Sequence, residues 1–85
     1  MSNKLEIFKK RLIYRASYRG TKEMDMLLSA FVNKFIEKFD EAELIELEKF
    51  LNFEDEIIYN YYHYKIIKGG INKNKISKLF ENFKL

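Results

Sequence analysis

The stretch 22-KEMDMLLSAFVNKFIEKF-39 decides the architecture. Met24, Leu27, Leu28, Phe31, Val32, Phe35, Ile36 and Phe39 recur at the three- and four-residue spacing of one helix face. That spacing predicts a long amphipathic helix over about 22–38, and a stripe this wide reads as the centre of a core. Toward the N-terminus, Leu5, Phe8, Leu12 and Ala16 repeat the pattern over 4–18, with Lys9, Lys10, Arg11 and Arg15 elsewhere around the helix. Gly20 follows as a helix stop, and Thr21 is placed to cap the next helix.

Toward the C-terminus, "DEAE" at 40–43 reads as a capping box, with Asp40 as cap and Glu43 reaching back. Leu44, Leu47 and Leu51 then give the buried side of a third helix ending near Asn52. "FEDE" at 53–56 is an acidic corner, in which Asp55 or Glu54 caps a short fourth helix through Ile58, Tyr61 and Tyr62 and as far as Lys65. Gly69 and Gly70 are expected to end that segment. Asn72 is expected to cap a fifth helix carrying Ile76, Leu79, Phe80 and Phe83, held most weakly because it is terminal and rich in lysine. No alternating pattern argues for strands. The expectation is an all-α, single-domain bundle of about five helices over residues 1–85.

Composition agrees. The chain has 85 residues, 47% of them hydrophobic, which allows one small core. It has three glycines, no proline and no cysteine, so long helices with short turns are favoured, and disulfides and thiolate metal sites are excluded. No apolar run approaches the roughly 20 residues that cross a bilayer, so no membrane insertion is expected. The basic N-terminus runs into the first helical pattern and is expected to be part of the fold rather than a separable presequence.

The net charge of +3 conceals three zones. Residues 1–22 carry seven Lys/Arg and one Glu, residues 23–56 three Lys and eleven Asp/Glu, and residues 57–85 six Lys and one Glu. An acidic middle between basic ends argues against simple wrapping of nucleic acid. It suits charges that steer a protein partner or pair internally.

Catalytic chemistry is sparse. His63 is the single histidine, and there is no second histidine for a metal and no glycine-rich phosphate cradle. The acids from Glu41 to Glu48 lack calcium-loop spacing and read as a solvated face. Four tyrosines at 59, 61, 62 and 64 suit partial burial or a protein contact more than base stacking. "RGTKEMD" at 19–25 remains. It reads either as a helix corner with local ion pairs or as Arg19 and Glu23 projecting into another protein's cleft, with Gly20 permitting close approach.

Arg19, Gly20, Glu23 and Asp25 match residue for residue the R-G-x-x-E-x-D signature of the SdhE (YgfY-like) family, the flavinylation factors of succinate dehydrogenase. The chain resembles that family over roughly 5–66 in length, helix order and the run "KFDEAELIELEKFLNFEDEIIYNYY". It departs where members usually carry a tryptophan, here Tyr61, and an acid–proline–acid turn, here Glu54-Asp55-Glu56.

The resemblance implies an assembly chaperone rather than an enzyme. Its partner would be the flavoprotein subunit of succinate dehydrogenase, or in some bacteria of fumarate reductase, and it would promote covalent attachment of that subunit's FAD to a histidine. It implies no tightly bound cofactor or metal, a monomer when free, and a location in the bacterial cytoplasm or the mitochondrial matrix. Arg15, Arg19, Gly20, Glu23, Asp25 and Tyr61 are the expected partner-binding residues. A helical module for another partner, or a nucleic-acid binder, are the alternative readings.

Overall fold

The computed structural model describes residues 3–85. Five helices follow in order: α1 (Asn3–Ser17), α2 (Lys22–Phe35), α3 (Glu41–Leu51), α4 (Asp55–Tyr64) and α5 (Lys75–Glu81). No strand occurs among the described residues, as the all-α reading expects.

The predicted stripe on α2 is the middle of the core. Met24, Leu27, Leu28, Phe31 and Val32 are all buried, and Leu12 and Ala16 of α1 pack with them. The α-helix stops at Phe35, earlier than the spacing predicts, and tightens into a 3₁₀ turn over Ile36–Lys38. Such tightening is common at helix ends. It lets Ile36 and Phe39 both stay buried while the chain turns toward Asp40. There the capping box forms as expected: Glu43 N–H donates to Asp40 Oδ1 at 2.8 Å, and Asp40 N–H donates to Glu43 Oε1 at 2.9 Å.

The C-terminal region departs from expectation in three ways. First, α4 ends at Tyr64, with Lys65 itself left-handed at φ 58°, so the chain leaves the helix before reaching the glycines. Second, the cap of α5 is Asn74, not Asn72: its side chain accepts from Ser77 N–H while the Ser77 hydroxyl accepts from Asn74 N–H, each at 2.9 Å. Third, α5 is not a loose appendage. Phe80 is fully buried, with ring centroids 5.1 Å from both Phe31 and Phe50, and Ile71, Ile76 and Phe83 are buried beside it.

The three charge zones pair across the fold. Lys9 Nζ donates to Glu37 Oε1 at 2.9 Å, joining α1 to the end of α2. Lys75 of α5 pairs with Glu43 of α3, and this holds the Glu43 carboxyl below the usual carboxylate range. Asn74 Nδ2 donates to Glu46 Oε1 at 3.2 Å. Part of the acidic face of α3 is therefore the seat of α5 rather than free surface.

Candidate functional site

The connection between α1 and α2, residues 18–21, is held from both sides. Asp25, in the first turn of α2, turns its carboxylate back. Its Oδ1 accepts from Arg19 N–H at 2.5 Å and from Gly20 N–H at 3.3 Å. Thr21 caps α2 by accepting from Met24 N–H at 3.2 Å. Gly20 sits at φ +141°, where a side chain is strained whatever space surrounds it; the nearest atom to an added Cβ would be Asp55 Oδ2 at 3.8 Å, an ordinary contact. The glycine is thus required by backbone conformation rather than by crowding. Gly20→Ala is expected to cost about 1–3 kcal/mol from backbone strain alone. Thermal melting checks it, and an unchanged midpoint would show the loop relaxing freely.

Arg19 does not project. Its side chain is 10% exposed and turned across the bundle to the corner between α3 and α4. Nε donates to Asp55 Oδ1 at 2.8 Å, Nη1 to the Leu51 carbonyl at 2.5 Å and Nη2 to the Phe53 carbonyl at 2.6 Å. The carbonyl of Leu51 is among those left without a partner at the end of α3, and Asp55 opens α4. One guanidinium fork therefore satisfies a helix C-terminus and anchors the acid at the next N-terminus, matching both dipoles. Arg15, one turn earlier on α1, reaches the same corner and donates to the Asn52 side chain.

The expectation that Arg19 and Glu23 project together is corrected in its first half. Arg19, with Asp25, fastens the corner from within. Glu23 stands outside it, its side chain 60% exposed, with Oε2 3.4 Å from His63 Nε2 of α4. Tyr61 is corrected as well. It is fully buried, and its hydroxyl donates to the Ser77 carbonyl at 3.2 Å and to Glu81 Oε1 at 3.0 Å. Burial raises its phenol pKa, and the bond it gives lowers that of Glu81. Tyr61 thus stands where a partner cannot touch it, and it ties α4 to α5. Tyr64, by contrast, is exposed.

What faces solvent is a rigid elbow: Gly20, Thr21, Lys22 and Glu23 are exposed along it. Beside it runs a shallow groove between α2 and α4, lined by Thr21, Glu23, Met24, Asp55, Glu56 and Tyr59. Asp55 is the residue that sequence reasoning missed, having been read only as a cap. No periodicity links it to Arg19, 36 positions away. Among the described residues no cluster of three His, Cys, Asp or Glu is arranged to hold a metal, and no helix is long and apolar enough to cross a membrane.

These features define a small all-α protein whose most organised surface is a helix elbow locked by an arginine fork. A family profile described as "Flavinator of succinate dehydrogenase" matches residues 10–84. The chain belongs to that family. It is 46% identical over 55 residues to succinate dehydrogenase assembly factor 2, mitochondrial, of Scheffersomyces stipitis, covering 65% of this chain and 37% of that protein. The assembly factor 2 of Saccharomyces cerevisiae is 47% identical over 49 residues, 58% of this chain and 30% of that protein. Assembly factor 2-A of Drosophila mojavensis is 42% identical over 48 residues, 56% and 31% respectively. The matched stretch spans about a third of the length of these curated relatives. No solved structure matches the chain.

Proposed function

We propose that this protein is an assembly factor that binds the flavoprotein subunit of succinate dehydrogenase and promotes covalent attachment of FAD to it. The observation that carries the reading is the family match over residues 10–84, within which the R-G-x-x-E-x-D motif forms a stiff elbow with an outward carboxylate at Glu23. The FAD acted on is the partner's, and the factor holds none tightly. Fumarate reductase's flavoprotein, where present, is a second target of the same chemistry. The compartment is that of the target: the cytoplasm in a bacterium, the matrix in a mitochondrion.

The mechanism is positioning. The elbow and its groove engage a segment near the flavin site and hold the accepting histidine against the flavin. Ordering the reacting groups can lower a barrier by several kcal/mol without the factor making or breaking a bond. A fixed scaffold serves this better than a mobile one, because less ordering entropy is lost on docking. Arg19, Asp25 and Gly20 act by fixing the elbow, whereas Glu23 and the exposed backbone beside it make the contact.

Glu23→Ala separates these roles. Its contact with His63 is exposed, so the change is expected to cost less than about 1 kcal/mol of stability. In a strain lacking its own factor, it is expected to remove most protein-bound flavin fluorescence from the flavoprotein band on a denaturing gel. Full restoration of covalent flavin by Glu23→Ala would rule out the elbow as the contact.

A further inference from the structure

The elbow is continuous with a second unpartnered surface. On the outer side of α1, Ile7 and Tyr14, with Tyr18 just past its end and still bonded by its N–H to the Tyr14 carbonyl, are 57%, 64% and 69% exposed. Their spacings of seven and four residues place them in one line along the helix, about 16 Å long at 1.5 Å per residue. The rings of Tyr14 and Tyr18 lie 4.5 Å apart and support each other. Lys10 and Arg11 flank the line, both exposed and without an ion-pair partner among the described residues. The neighbouring cations are already engaged, Lys9 with Glu37 and Arg15 with Asn52. Tyr18 ends the line and leads directly into Arg19 and Gly20.

We infer that this basic, tyrosine-bearing face of α1 is a second docking strip that seats an acidic patch of the same flavoprotein subunit, extending the contact made by the elbow. The inference rests on the proposed function. Three features select its occupant. Two free cations beside exposed aromatics call for an acidic counterpart with apolar character, the composition of a protein interface anchor. The strip is short, and exposed Glu6 stands beside Ile7 on the same helix, so a long polyanion such as duplex DNA would meet like charge at the strip's end. An anionic bilayer suits the strip less well, since the apolar side of α1 is spent in the core and Ile7 alone is aliphatic on the outer line. In this arrangement the charges raise the rate of encounter and the tyrosines slow departure.

The test is binding of the full chain to the purified flavoprotein subunit of succinate dehydrogenase lacking covalent flavin, measured as association and dissociation rates across a salt series. Lys10→Glu/Arg11→Glu is expected to slow association at least ~10-fold at low salt and to flatten its salt dependence. Tyr14→Ser/Tyr18→Ser is expected to speed dissociation ~10-fold or more. All four side chains are exposed, and circular dichroism should match the parent; Lys10→Ala/Arg11→Ala provides a milder version of the first pair. Unchanged rates in both pairs, with Glu23→Ala still weakening the complex, overturn the strip and leave the elbow standing. Absence of any complex with the parent chain overturns both. The strip is also overturned if Lys10→Glu/Arg11→Glu spares the flavoprotein complex but abolishes binding to phosphatidylserine vesicles, to duplex DNA or to a second copy of the chain.

Discussion

Arg19→Ala is expected to lower stability by about 3 kcal/mol, the cost of removing one partner from a largely buried, hydrogen-bonded ion pair. The side chain is 10% exposed and that of Asp55 28%, so solvent screens the pair only partly. Three acceptors lose their donor at once: Asp55 Oδ1 and the carbonyls of Leu51 and Phe53. For a domain of this size the midpoint of thermal unfolding should fall by roughly 10–25 °C. Arg19→Lys should recover less than half of the loss, because an ammonium cannot place donors on all three acceptors in one plane. Asp55→Asn should cost less than Arg19→Ala, and the double variant should fall short of the sum, since the two residues share one contact. A loss below about 1 kcal/mol for Arg19→Ala would mean that solvent satisfies the corner equally well. The functional consequence follows from the geometry. Arg19 variants should lose flavinylation support in step with melting, whereas Glu23→Ala should lose it at nearly full stability. The same motif then contains one outward carboxylate, Glu23, and inward-turned partners, Arg19 and Asp25, that hold it still.

That division marks how far the sequence could be read. Features controlled by neighbours along the chain were legible: the α2 stripe from Met24 to Val32, the Thr21 cap and the Asp40–Glu43 box all rest on spacings of three and four residues. The cap of α5 was misplaced by two residues because Asn72 and Asn74 have equal intrinsic merit. Ser77, three residues after Asn74, was the local signal that separates them. The stop of that segment was assigned to Gly69 and Gly70 because glycine is the usual left-handed residue, yet Lys65 adopts that conformation directly after α4 and donates from Nζ to the Glu81 carbonyl at 3.2 Å. Long-range pairings were not legible. Arg19 with Asp55, Arg15 with Asn52 and Tyr61 with Ser77 join helices whose relative placement no periodicity encodes. The resemblance pointed to the residues of this elbow, and it could not say which of them face inward. A charged residue beside a glycine at a helix corner invites a surface reading. The competing demand, unpaired carbonyls at another helix's end, becomes visible only once the helices are packed.

Phe80→Ala is expected to cost about 4 kcal/mol, the loss for a fully buried phenylalanine whose cavity cannot collapse. An 85-residue domain has a total stability on the order of 4–13 kcal/mol, so this one change should remove between roughly a third and all of it. The reason lies in where the ring sits. It meets Phe31 of α2 and Phe50 of α3 edge-on at 5.1 Å, and Tyr62 of α4 at 4.9 Å, so three helices lose packing together. Neighbouring Leu79, only partly buried, should cost far less when changed to alanine. The contrast tests whether α5 is a terminal appendage, as its lysines and position suggest, or a member of the core. In the second case its backbone amides exchange with solvent only through global unfolding, at rates shared with α2. A urea midpoint unchanged by Phe80→Ala, with α5 amides exchanging well before those of α2, would return α5 to the periphery. The elbow would feel the difference: the groove beside Glu23 is walled by α4, and α4 is pinned from below by the Tyr61 hydroxyl on Ser77 and by the Tyr62 hydroxyl on the Phe83 carbonyl at 2.6 Å. With α5 part of the same cooperative unit, partner binding should therefore be lost at the urea concentration where the helicity of α1 and α2 is lost, and not before.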